Sequence, residues 1–143
     1  MTHQDRDLGR RWFEEVWNQK RREAIAEMLS SDAVIHDGPT DTIGPDGFYP
    51  FFDRMHATFS DMHVTVEDTF GDGDKICVRW SVSAKHTGDG LGMPATNRHI
   101  STTGMTIIRI ANGKLAEGWQ NWDMLGLIEQ LQGVRTAVTY IGA

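Results

Sequence analysis

Three places in the chain join a titratable side chain to an apolar setting, which is the minimum for acid/base chemistry on a small molecule. His36 stands beside Asp37 at the end of the short run Ala33 to His36, and a neutral imidazole there can serve as a general base near physiological pH. A strand-end histidine bonded only to backbone or to Asp37 would look the same. His86 ends the stripe Ile76, Val78, Trp80, Val82, Ala84, and a polar group at the end of such a stripe suits a cavity wall or a sheet edge. Asp123 is the third, a carboxylate next to Trp122 and near Trp119, where desolvation would raise its pKa toward that of a useful base. Because it directly precedes the apolar Met124-Leu125, it equally suits a helix N-cap. Gln120 and Trp122 share strand parity, so the two point the same way.

Other chemistries find little support. The histidines at 3, 56, 63 and 99 show no HxxxH, HxH or CxxC spacing, so no metal site is expected. Gly88 to Gly92 lacks the pattern of a phosphate-cradling loop. The single Cys77 cannot form an internal disulfide, which fits a reduced, cytoplasmic setting. With 14 Lys and Arg against 20 Asp and Glu, the formal net charge is -6, and the charges are interspersed. That balance argues against nucleic acid or an anionic membrane as partner. The opening MTHQDRDLGRRWF carries no apolar stretch of a signal peptide or membrane span.

The elements that must hold these residues are legible from periodicity. Leu8, Trp12, Phe13, Val16 and Trp17 recur at helical spacing, so a helix is predicted over Asp5 to Asn18. Ile25, Met28 and Leu29 support a second helix ending near Ser30 to Asp32, followed by the strand Ala33 to His36. Phe48, Phe51, Phe52, Met55 and Phe59 mark a third helix, which must start or kink at Pro50. From Met62 the period becomes two, and Gly71 to Asp74 closes a hairpin into the long strand with Ile76, Val78 and Trp80 facing inward. A second hairpin turns at Ala111-Asn112-Gly113 between Ile100 to Ile110 and Lys114 to Asp123, and Gly126 to Leu131 forms a closing helix. The 143 residues make one α+β domain spanning 1–143, helices first and antiparallel strands after. The aromatic set Trp12, Trp17, Tyr49, Phe52, Phe59 and Trp80 is either core or the lining of a ligand pocket.

The tail GKLAEGWQNWDMLGLIEQL, with His86-x-Gly88 and Gly92 to Thr96 before it, resembles the SnoaL-like polyketide cyclases, also called ester cyclases, of the nuclear transport factor 2-like superfamily. Trp17-Asn18, Asp32 to Asp37 and Gly71 to Lys75 extend the resemblance over nearly the whole chain. It implies a cone-shaped barrel, with a strongly curved antiparallel sheet and N-terminal helices around a deep pocket, and commonly a homodimer formed across the sheet. The implied chemistry is an intramolecular aldol closure without metal or organic cofactor, using an aspartate as general acid/base. With Gly113-Lys114, Asp123, Gly126 and Gln130-Leu131 setting the register, that aspartate's position is Gln120 and its companion histidine's is Thr106. An amide cannot abstract a proton at neutral pH, although it can hydrogen-bond a carbonyl.

Two functions are therefore expected to compete. One is a cofactor-independent cyclase- or isomerase-type enzyme acting on an apolar carbonyl compound, with Asp123, His36 or His86 as acid/base and Thr106, Gln120 and Trp122 beside the aromatic set at the ligand. The other is a non-catalytic domain for a small apolar organic ligand; a hydrolase using the same cavity is a third, weaker reading.

Overall fold

The computed structural model describes residues 1–133. Helix α1 (His3–Arg11) opens with a capping box in which Thr2 and Asp5 satisfy each other's backbone N–H groups. It runs straight into a π-helical segment, Trp12–Asn18, that buries Trp12, Phe13, Val16 and Trp17. The predicted helix is thus one continuous rod whose second half widens, as the bond from Gln19 N–H to the Glu14 carbonyl shows. Asn18 ends the rod and pairs through its side chain with both the N–H and the C=O of Val64. That amide ties the aromatic segment to a strand like a single rung of ladder.

Helix α2 (Arg22–Met28) is followed without a loop by β1 (Leu29–His36), so the strand starts four residues earlier than its apolar pattern suggested. After the two-residue β2 (Thr42–Ile43), helix α3 (Gly44–Thr58) begins well before Pro50 and carries that proline inside it. A second proline, Pro45, occupies its first turn, where a missing N–H is not felt. The chain then forms β3 (Phe59–Asp72), β4 (Lys75–His86), β5 (His99–Ala111), β6 (Lys114–Trp122) and helix α4 (Met124–Gln132).

The six strands form one sheet in the order β2-β1-β6-β5-β4-β3. All ladders are antiparallel except β1 on β6, which is parallel. The expected antiparallel sheet is therefore mixed at that one seam, because β1 arrives from the helices and not from a hairpin. It is curved but not closed; β2 and β3 are its edges. Register shifts in β3 between Ser60 and His63 and between Val66 and Asp68 supply bulges, which bend and twist a strand. The concave face carries Ile76, Val78, Trp80, Ala84, Ile100 and Ile108, all buried. The π-helical segment and α3 lie over this face and contribute Trp12, Phe13, Trp17, Phe48 and Phe52 to the same core. No described helix is long and apolar enough to cross a membrane.

Candidate functional site

Between the concave face and the helices lie two adjoining cavity lobes that share Trp17, Phe51 and Gln120. The first spans about 620 Å³ of space that includes its open mouth. Its lining is Phe13, Met55, Phe59, Met62, Val64, Trp80, Val82, Ala84, Ile100, Thr102, Trp122 and Leu127 beside the shared three. No charged side chain is among them. The second lobe, about 490 Å³, is lined by Trp12, Leu29, Ile35, Phe48, Thr106, Ile108, Leu115 and Gly118, and also by two carboxylates, Asp37 and Glu117.

A directed chain of hydrogen bonds crosses the waist between the lobes. The Trp80 indole N–H donates to Thr106 Oγ1 at 3.0 Å, and the Thr106 hydroxyl donates to Gln120 Oε1 at 2.9 Å. The Gln120 amide nitrogen then donates to Asp37 Oδ2 at 3.0 Å. Cross-strand pairing explains the alignment, since Thr106 lies opposite Val78 on β4 and Gln120 on β6, on the concave face. Asp37 follows the last residue of β1 and shares the inward parity of Ala33 and Ile35. Burial pushes its pKa above the ordinary aspartate value, opposed by hydrogen bonds from Gln120 and Trp122 that favour the ionised form.

The residues singled out from sequence are distributed unevenly around this centre. Trp17, Phe59, Trp80, Gln120 and Trp122 line the first lobe, and Trp12, Trp17, Thr106 and Gln120 the second. Phe52 is core, packed between Trp17 and His56 with ring centres 5.7 and 4.5 Å away. Tyr49 lines neither lobe; it packs against the core beneath the Arg22 guanidinium, which lies 4.0 Å from the ring centre. His36 turns to the outer side of the sheet. Its Nδ1 lies 2.9 Å from Asp41 Oδ1 and its Nε2 2.7 Å from Glu117 Oε2, while the ring stacks on Trp119. The bond to Glu117, and after it that to Asp41, raises its pKa. His86 is fully buried, and its Nδ1 accepts from the Thr96 backbone N–H at 3.1 Å. Its Nε2 has no hydrogen-bond partner among the described residues. The ring lies outside the lining of either lobe and packs on Phe59. Asp123 is exposed and caps α4, its Oδ1 accepting from Gly126 N–H at 2.9 Å. Of the three titratable groups expected to act, none lines a lobe; the two carboxylates that do are Glu117, which is engaged by His36 and Arg109, and Asp37, which approaches Gln120 at the waist.

The family model for SnoaL-like polyketide cyclases matches residues 8–131. The chain belongs to that family. This member is 29% identical over 132 residues to the aklanonic acid methyl ester cyclase DnrD of Streptomyces peucetius, covering 87% of this chain and 88% of DnrD. It is similar in structure to IdmH of Streptomyces antibioticus, at 28% identity and a TM-score of 0.78, with 91% of this chain and 99% of that one aligned. A SnoaL-like polyketide cyclase structure from Jannaschia sp. CCS1 shares the fold at a TM-score of 0.84 and 19% identity, covering 92% and 94%. In this family member the two positions that the resemblance assigns to the working aspartate and histidine, Gln120 and Thr106, are hydrogen-bonded to each other at the waist.

Proposed function

We propose that this chain is a cofactor-free acid/base enzyme of the cyclase type, acting on a small apolar carbonyl compound, with Asp37 in place of the missing aspartate as the base. One observation carries the reading: a desolvated carboxylate and an amide of fixed orientation meet at the waist of an otherwise apolar cavity. A base needs a pKa raised toward the working pH, and burial supplies that direction. Gln120 has two amide hydrogens, and only one is engaged by Asp37. The second can donate to a substrate carbonyl as negative charge grows on its oxygen. Asp37 takes the proton from the carbon next to that carbonyl, the resulting enolate carbon attacks a second carbonyl of the same molecule, and the alkoxide so formed recovers the proton from the Asp37 carboxyl. Ring closure then leaves the protein unchanged.

The test is exchange of ketone α-protons with D2O, followed by NMR over a panel of apolar 1,3-dicarbonyl compounds, for the native chain and Asp37→Asn. Asparagine still accepts a hydrogen bond from Gln120, so the fold should persist while exchange falls by roughly a hundredfold to ten-thousandfold. Equal rates in the two proteins would remove Asp37 from the mechanism. Gln120 in place of a carboxylate favours a second reading, a ligand-binding domain without turnover. Tight binding by the native chain with no exchange in any compound would select it.

The same reading includes a cytosolic homodimer paired through the outer face of the sheet. Met105 and Ile107 are 56% and 41% exposed there, across from Arg79 and Cys77 on β4 and Asn121 and Trp119 on β6. A polar rim around a small apolar centre suits such an interface. Sedimentation of a 16.1 kDa species at micromolar concentration would rule the dimer out.

A further inference from the structure

The chain of bonds at the waist has ends that cannot reverse. An indole N–H only donates and an ionised carboxylate only accepts, whereas the hydroxyl and the amide between them can each be turned around. With the Trp80 N–H pointing at its oxygen, Thr106 spends its one proton on Gln120 Oε1. That leaves the amide nitrogen facing Asp37. The indole fills one of the two lone pairs on Thr106 Oγ1; without it both are open to an inverted amide, which would set a carbonyl oxygen against the carboxylate. We propose that Trp80 is a positioning residue: acting through Thr106, it fixes which way round the Gln120 amide stands, and so keeps a donor against Asp37.

The importance of this for turnover rests on Asp37 being the base; the orientation itself does not. The groups facing Asp37 are few. Gln120 and Trp122 approach it from β6. Glu117 shares its lobe but is engaged by His36 and by Arg109 Nε at 3.2 Å. Neither lobe is lined by Lys, Arg or His that could hold the carboxylate ionised in place of the amide. Trp80 reaches Thr106 because its cross-strand neighbour is Gly104, where a Cβ would lie 2.3 Å from the indole ring. Nothing in the family's titratable pair requires an indole there, so this relay belongs to a member that carries Thr106 and Gln120.

The test is the titration of Asp37 in the ligand-free protein, read from its side-chain carboxyl carbon by NMR and assigned with Asp37→Asn. Trp80→Phe and Thr106→Val should each move the Asp37 midpoint upward, by up to about one pH unit, the scale of a single charge-assisted hydrogen bond. Valine matches threonine in shape, so that variant reports even if loss of the indole loosens the core. In the double variant the midpoint should lie no higher than in Thr106→Val alone, because the proposed route from Trp80 to Asp37 runs through the hydroxyl and not through Trp122, its neighbour in the row across Gly104. A midpoint unmoved in both single variants overturns the proposal. So does a Trp80→Phe shift of equal size with and without the Thr106 hydroxyl, which would mean a general packing effect. The base assignment fails separately, if Asp37→Asn keeps full α-proton exchange whatever the titration shows.

Discussion

Replacing Gly104 by alanine tests how tightly the waist is built. Gly104 sits in a row across three strands, paired with Trp80 on β4 and Trp122 on β6. A methyl group at this position would stand 2.3 Å from Cζ2, 2.7 Å from Cη2 and 2.8 Å from Cε2 of Trp80. Carbon atoms pack at about 3.5–4.0 Å, so the indole has to retreat by roughly an ångström or more. The space open to it is the first lobe, which Trp80 lines. Trp80 is 7% exposed, and the Phe13 ring lies against it with centres 5.9 Å apart. The β5 backbone is held by ladders on both sides and cannot yield in its place. Overpacking of this kind costs about 1–3 kcal/mol, which in a domain of this length lowers Tm by roughly 3–10 °C. The displaced indole also loses its 3.0 Å bond to Thr106. Calorimetry gives the first effect, and tryptophan near-UV circular dichroism gives the second. A Tm within about a degree of the native value, with an unchanged spectrum, would refute the claim that glycine is needed to seat Trp80.

His36→Ala should narrow a pH-dependent stability gap. The folded-state pKa of His36 is raised by Glu117 and Asp41, so its contribution is present below the unfolded value of about 6.5 and lost as pH rises through the folded one; urea midpoints of native and variant should differ more at pH 5.5 than at pH 8.5. Asp123→Ala removes the α4 cap and should cost about 1 kcal/mol, whereas Asp123→Asn should change stability by only a few tenths, and α-proton exchange should survive in both; a hundredfold loss in the asparagine variant would return Asp123 to the chemistry. Asp37→Asn should stabilise the fold near neutral pH. Burial raises the folded pKa of Asp37, so ionisation is harder in the folded than in the unfolded chain, and the gain should shrink as pH falls through the raised folded value and be gone below the unfolded one of about 3.9; a variant less stable than the native chain at pH 7 would contradict the desolvation of Asp37.

Most of the fold is legible because its signals are local. The Asn112-Gly113 turn has both residues at positive φ, 53° and 73°, the geometry that an Asn-Gly hairpin predicts. The alternation along β4 reads directly onto buried Ile76, Val78, Trp80 and Ala84. What escapes is set by tertiary contacts. The start of β1 at Leu29 depends on its parallel pairing with Leu115 on β6, and no pattern within residues 29–32 announces a partner so far along the chain. The widening of the first helix at Trp12 likewise has no local mark. It accompanies the bond of Asn18 to Val64, 46 residues away.

The site shows the same division more sharply. Strand parity was enough to place Gln120 and Trp122 on one face, and applied to β1 it also separates His36 from Asp37. Ala33 is fully buried and Ile35 lines the second lobe, so with a period of two Asp37 follows them inward and His36 must point out. Imidazole is the more familiar base near neutral pH, and choosing by residue type selects the wrong neighbour of this pair for the cavity. The environment reverses the order. Half-buried between two carboxylates, His36 has its pKa raised and has no proton-accepting nitrogen free, since both ring nitrogens face acceptors. Desolvated beside an amide, Asp37 moves toward the range in which a carboxylate can take a proton. Titration behaviour here follows from which side of the sheet a residue faces, and that is fixed by one residue of register in β1.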